Sequence, residues 1–209
     1  MTALPLLTWL SPSFPVGAFA YSGGLEAAVW RGVVAGPDDL VNWLGAALAG
    51  GAIRSDTIAL ALAARGEPKE ELDELVLALA GSPTRENELR ALGSAFVEAS
   101  TPWWPDGVPI PVTYPVAVGA LCSAHRIGAD EAASAFALGA VTNAVQTAQR
   151  LMPIGQSDGV RVVAALHGTI GALAAAACDA TIDDLFSATP IADICALSHP
   201  TVETRLFRS

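Results

Sequence analysis

The sequence predicts an all-α protein, a single-domain helical bundle of roughly eight to ten helices at ordinary helix lengths. Three observations carry that expectation. Apolar residues make up 52% of the 209-residue chain but aromatic residues only 6%, and the excess is alanine, with 41 copies. Alanine has the best helix propensity and lets helices approach closely. Prolines and glycines fall at helix-length intervals, and no alternating apolar/polar pattern lasts more than a few residues. The length suits one domain of roughly 100–200 residues and is enough to bury a core. With no internal repeat or linker in view, residues 1–209 form one unit. It opens on a Pro/Gly-rich segment, 1–24, and closes on a tail, 200–209, expected to be flexible.

The elements follow from this punctuation. Gly24 leads into a short helix carrying Leu25, Val29 and Trp30. Gly36-Pro37 starts the next, with Asp38 and Asp39 suiting the positive end of its first turn. Leu40, Trp43, Leu44, Ala47 and Leu48 recur at helical spacing. Gly50-Gly51 is a place to bend before "SDTIALALAA" continues to Arg65-Gly66. Pro68 opens "KEELDELVLALAG", with Leu72, Leu75, Val76 and Leu79 on one face. Ser82-Pro83 supplies an N-cap and a first-position proline for "TRENELRALGSAFVEAS". Residues 101–113, "TPWWPDGVPIPVT", carry four prolines and a glycine and read as a loop. "YPVAVGALCSAHRIG" is helical, with Gly128 as its expected stop. Asp130 opens "EAASAFALGAVTNAVQTAQRLM", "PIGQSDG" breaks the chain, and "VRVVAALHGTIGALAAAACDA" follows. Arg161 and His167 within this last apolar stretch mark it as a buried core helix rather than a membrane span. No basic n-region or cleavage site of a secretory signal is visible at the start.

A formal net charge of −10, with Lys69 the single lysine, argues against nucleic acid and anionic membranes and suits a basic partner surface. Cys122, Cys178 and Cys195 are odd in number and lack a CxxC, which argues against disulfides and zinc ribbons and for reduced buried thiols. The chain has no phosphate loop, no GxGxxG after a strand, no HExxH and no GxSxG. Two spacings place a thiol and an imidazole within one helical turn: Cys122 with His125, and Cys195 with His199. Each offers soft ligands but no closed metal site, so a core thiol beside an incidental histidine is the plainer reading. The terminal "HPTVETRLFRS" alternates basic and apolar residues on an acidic protein. It reads either as a solvated tail or as a segment that orders on a partner, with Phe207 as anchor and arginines pairing carboxylates.

Four ordered stretches then point to a family. "SPSFPVGAFAYSGGLE", Ser11 to Glu26, resembles the opening motif of the F-type urease accessory proteins, S-x-x-x-P-x-G-x-[FY]-x-[FWYH]-S-x-G-[LI]-E. "SPTRENELRALGSAFVEA" is similar to the family's Arg-Glu-containing helix, with Arg85 and Glu86 and a G-x-A step at Gly93–Ala95. "RLMPIGQ" resembles its [KR]-L-x-P-[LF]-G-Q loop. "SATPIADICALSHPTVETRLFRS" is similar to the family's C-terminus. The likeness runs from Leu7 to Ser209. One departure is His199-Pro200, where the family often has His-Glu; the proline is expected to end the last helix early.

The resemblance implies a cytoplasmic, non-catalytic, dimerising scaffold without a cofactor. Such a protein joins a D/H-type accessory protein, docked on apo-urease, to a G-type GTPase that carries nickel. It also implies partner-binding residues: Pro15, Gly17, Tyr21, Ser22, Gly24 and Glu26 in the opening turn, with the GTPase as the implied partner of Tyr21, Ser22, Gly24 and Glu26; Arg85 and Glu86; Arg150, Pro153, Gly155 and Gln156 around the loop; and Arg205, Leu206, Phe207, Arg208 and Ser209 in the tail. Polar groups flanking the 152–156 break can line a surface or a passage for a hydrated ion, although a plain helix connection has the same punctuation. Dimerisation is expected through alanine-rich faces in "ASAFALGAV" and "LAAAA". Two other classes stay open: a small all-α enzyme with a polar pocket from Tyr21, Ser22, Arg150 and Gln156, and a direct nickel chaperone using Cys195 and His199.

Overall fold

A computed structural model describes residues 4–110 and 112–208. Among these, ten α-helices form and no strand does: α1 Leu4–Trp9, α2 Leu25–Trp30, α3 Pro37–Gly50, α4 Ala52–Ala64, α5 Lys69–Ala78, α6 Pro83–Ala99, α7 Tyr114–Ala124, α8 Ala129–Leu151, α9 Gln156–Asp179 and α10 Pro190–Ser198. The bundle is therefore all-α, as the alanine excess requires.

The centre of the molecule is α4, which packs on α3, α5, α7, α8 and α9. Its residues from Thr57 to Ala63 are all buried. Small side chains permit this density. A Cβ on Gly119 of α7 would fall 2.3 Å from the Leu60 carbonyl oxygen, so glycine there lets α7 lie on the α4 backbone. Two apolar clusters share the α8 helix. One gathers Leu6, Trp9, Phe96, Val116, Leu121 and Phe136; the other gathers Leu25, Leu40, Leu44, Val141, Leu166 and Val202. The chain bends by 40° between α3 and α4 at Gly50-Gly51. A Cβ on Gly51 would meet Thr189 Cγ2 at 2.9 Å, so the bend also seats the segment before α10.

Local chemistry corrects several boundaries. α1, with Leu6 and Trp9 buried, has no counterpart in the sequence reading, because six residues cannot hold a helix without tertiary contacts. Trp9 provides them, with ring centroids 5.2 Å from His125 and 6.3 Å from Trp103. The helix expected to stop at Gly128 stops at Ala124. Arg126 takes the left-handed conformation (φ 55°), and Ile127 N–H returns to Cys122 C=O, a Schellman closure; Gly128 instead begins α8. The break after α8 is also shorter than "PIGQSDG": α9 begins at Gln156, because Asp158 caps the Gly155 N–H at 2.9 Å. Gly159 sits inside α9, where a Cβ would fall 2.9 Å from Val145 Cγ1, so it draws α8 and α9 into a tight hairpin.

α9 is not the buried core helix its hydropathy suggested. It has the length and composition of a membrane span, but only a third of its most apolar window is buried. One face, with Val162, Leu166, Ile170 and Leu173, packs on α3, α4 and α8. The other leaves Val160, Arg161, His167, Gly168, Ala172 and Ala175 in the open. Among its described residues, the 101–113 segment is irregular after one 3₁₀ turn, as its prolines require. It crosses α6 at Gly93, where a Cβ would collide with the Val112 carbonyl oxygen at 1.8 Å, and Thr113 N–H then donates to Asp73 Oδ1 at 2.6 Å. As expected from Pro200, α10 ends at Ser198 and gives way to a 3₁₀ turn.

Candidate partner-docking site

The opening segment folds as a chain of tight turns. Gly17 (φ 78°), Gly23 (φ 58°) and Gly24 (φ 82°) all adopt left-handed backbone, and Gly17 and Gly24 stand at the starts of a 3₁₀ turn and of α2. Gly24 has a second reason to be glycine. A Cβ there would lie 3.1 Å from Ala196 N and 3.3 Å from Ala192 O, so α10 presses directly on the turn.

Glu26, in the first turn of α2, is 3% exposed and faces inward. One carboxylate oxygen accepts the Leu206 N–H at 2.6 Å. The other accepts the Phe207 N–H at 3.3 Å and lies 2.6 Å from His199 Nε2. Arg208 N–H donates to Ala20 C=O at 2.8 Å. Arg150, near the end of α8, donates to Phe19 C=O at 3.0 Å and places its guanidinium 4.4 Å over the Phe207 ring. The tail expected to be flexible is thus packed back on the opening turn, with Val202 and Phe207 each 5% exposed. The expectation missed this because Glu26 and Arg150, which hold the tail, are far from it in sequence and read as partner contacts, while His199 read as an incidental neighbour of Cys195. Ser209 lies outside the described residues.

The sequence-predicted residues divide into two kinds. Glu26, Ser22 and Gly24 are buried and build the site from within, whereas Pro15, Phe19, Leu206, Arg205 and Arg208 are exposed on it and Tyr21 is half-buried. Phe19 and Leu206 stand out as large apolar side chains in water, and the far face of α10 adds Ile191, Ile194 and Leu197. Large apolar side chains exposed along one helix face, as Ile191, Ile194 and Leu197 are on α10, are characteristic of protein-binding surfaces. Sequence reasoning did not single out the α10 face, although its i, i+3, i+6 spacing is visible in "PIADICAL".

Arg85 and Glu86 stand on α6, and Pro153, Gly155 and Gln156 at the break between α8 and α9. Arg85 pairs with Asp56 across to α4 and with Glu88 at 2.9 Å, and Glu86 pairs with Arg90 at 3.1 Å. In the loop, Pro153 and Gln156 are exposed, Gly155 is the α9 N-cap, and Gln149 Nε2 donates to Gly155 C=O at 3.2 Å. Arg150 turns away from this loop toward Phe19 and Phe207. Tyr21 and Ser22 line a cavity of about 600 Å³, but Arg150 and Gln156 do not, so the four residues of the enzyme reading are not brought into one pocket.

The thiol–imidazole pairs offer little to a metal. His199 is engaged by Glu26, and burial pushes the Cys195 thiol up, away from the thiolate a metal needs. Burial, with Glu131 adding to it, pushes Cys122 up to about 12, and His125 Nε2 lies 2.6 Å from the Trp103 carbonyl oxygen. No group of three or more His, Cys, Asp or Glu residues able to hold a metal occurs among the described residues.

Comparison with known proteins places the sequence in a family. The UreF family profile matches residues 34–167, nearly two-thirds of the chain. The chain belongs to the UreF family. Its relatives in this family include the urease accessory protein UreF of Rhizobium leguminosarum bv. trifolii (strain WSM2304), 46% identical over 99% of this chain and 96% of that protein. The UreF proteins of Sinorhizobium medicae (strain WSM419), at 44%, and of Allorhizobium ampelinum, at 42%, are matched over 99% and 98% of this chain. The UreF relatives are covered almost end to end, so the likeness takes in both the opening turn and the tail.

Proposed function

We propose that this UreF-family chain is a urease maturation scaffold. It joins a D/H-type accessory protein and apo-urease to a nickel-carrying G-type GTPase, and couples GTP hydrolysis to insertion of nickel into urease. It acts in the cytoplasm as a homodimer, without catalysis or cofactor of its own. The observation that carries this reading is the set of exposed apolar side chains on the opening turn, α10 and tail, on a chain whose relatives are urease accessory proteins over their whole length. In this reading, exposed Phe19 and half-buried Tyr21 face the GTPase, while Leu206, Arg205, Arg208 and the apolar face of α10 take the D/H-type partner. The open α9 face, with Gly168, Ala172 and Ala175, is small enough for a second copy to approach closely.

The test is size-exclusion chromatography of the purified chain with a D/H-type accessory protein, then with the GTPase added. A stable binary complex that recruits the GTPase is expected. Independent elution of all three would remove the scaffold role. Equilibrium dialysis against Ni²⁺ separates the nickel-chaperone alternative, which requires a site on the isolated chain.

A further inference from the structure

The cavity of about 600 Å³ lies between the opening segment and helices α4, α6, α8 and α10. Its size is that of a ligand pocket, and its wall is mostly apolar, with Phe14, Leu89 and Phe136 among the lining side chains. Four charged residues line it: Asp56, Arg85, Glu88 and Asp193. Asp56 and Glu88 flank the Arg85 guanidinium, and Asp193 is exposed. Arg85 spends two of its nitrogens on Asp56 Oδ2 and Glu88 Oε1. Asp56 is engaged through Oδ2, and among the described residues no hydrogen bond reaches its Oδ1. The side chains of Asp56, Arg85 and Glu88 are 16%, 18% and 10% exposed, and that remaining surface opens on the cavity.

Such a cluster is a costly way to close a wall, since apolar residues of the same volume would serve the fold as well or better. Burial pushes the Asp56 carboxyl upward even against the pull of Arg85, so its anionic form is short of compensation. A second positive charge would supply it, in a low-dielectric cleft where the field of the carboxylates is concentrated. A bare metal ion fits poorly, because the Arg85 guanidinium sits between the two nearest carboxylates. A cation on an apolar stem fits the apolar walls and the carboxylate together.

We propose that this cavity receives an arginine side chain of a partner protein, with Asp56 as the acceptor and Arg85 as the residue that positions it. Charge complementarity carries the choice: Asp56 is engaged through one carboxylate oxygen only among the described residues, and arginine is the side chain that delivers a weakly hydrated, multiply donating cation on an apolar stem. The proposal is independent of the urease reading, since it concerns only the chemistry of the pocket.

The experiment titrates the isotope-labelled full chain with Nα-acetyl-arginine methylamide and follows backbone amide shifts. The control is the citrulline analogue, the same shape without the charge. Shifts confined to the amides around Ser22, Asp56 and Arg85, with affinity at least about tenfold weaker for citrulline, are expected. Asp56→Asn, checked for an unchanged melting profile, should weaken the arginine probe by a similar factor. The comparison of the two probes on the unsubstituted chain does not depend on that variant folding. Equal response to citrulline, shifts scattered over the surface, or movement of the same amides by nickel chloride alone with the arginine probe silent would each overturn the proposal.

Discussion

The Glu26 carboxylate accepts two backbone N–H groups from the tail and meets His199, all in a buried setting. Hydrogen bonds to a buried charge are worth about 1.5–3 kcal/mol each. Glu26→Gln keeps the shape but turns an amide donor toward donors. It should destabilise the fold by about 2–3 kcal/mol and raise hydrogen exchange at the Leu206 and Phe207 amides well above that of the helix cores. Exchange unchanged at those two amides would mean that the tail is held by Phe207 packing alone. Gly24→Ala should cost about 1–3 kcal/mol, from the left-handed backbone and the approach of α10 together. Tyr21→Ala is a different case. Its side chain is half-buried, so the fold should survive with a small loss, and the expected effect is weaker GTPase recruitment with the D/H-type complex intact. Normal recruitment by a folded Tyr21→Ala chain would place Tyr21 in the structure rather than at that interface.

The helix α9 brings two predictions at the scale of an element. Asp158 caps its first turn, and the Gly155 N–H and then Arg161 hold its carboxyl below the usual carboxylate range. A depressed folded value means stabilisation that is present above the unfolded value of about 3.9 and is lost as pH falls through the folded one. Asp158→Asn should therefore lower the melting temperature near neutrality and flatten its acid-side decline below about pH 4; parallel acid limbs would show that the cap contributes nothing. The open α9 face is the proposed contact between copies. Ala175→Arg places charge on that face without touching the core, so it should leave the melting curve unchanged and shift light-scattering mass from dimer to monomer. A dimer that persists would move the contact elsewhere. This face also marks a limit of sequence reasoning. An apolar stretch too polar to span a membrane read as a buried helix, because alanine and glycine count as apolar whether covered or exposed. The helix stop at Arg126 was hidden for a related reason: glycine is the usual left-handed residue, and Gly128 stood two positions away.

At the scale of the whole molecule, helix number, the bend at Gly50-Gly51, the 101–113 loop and the family were all legible. Each rests on local punctuation or on motifs read in order. What was not legible depends on contacts between distant parts: α1 held by Trp9 against Trp103 and His125, Gly93 under the Val112 carbonyl, and the tail folded onto Glu26. The tail reverses an expectation drawn from composition, which gave it too few apolar residues to settle. Val202 and Phe207 bury instead in a seat made by the opening turn. Deleting Thr201–Ser209 should then cost about 2–5 kcal/mol in stability, from two buried apolar side chains and the bonds to Glu26. Partner binding should be lost with it. A melting curve matching that of the intact chain would show the tail to be loosely held.

The most direct measurement reconstitutes urease maturation from purified components: apo-urease, the D/H-type protein, the GTPase, Ni²⁺ and GTP, with or without this chain. The account predicts that urease activity appears only when the chain is present, and that a chain lacking Thr201–Ser209 does not support it. Equal activation of urease without the chain would contradict the scaffold function outright.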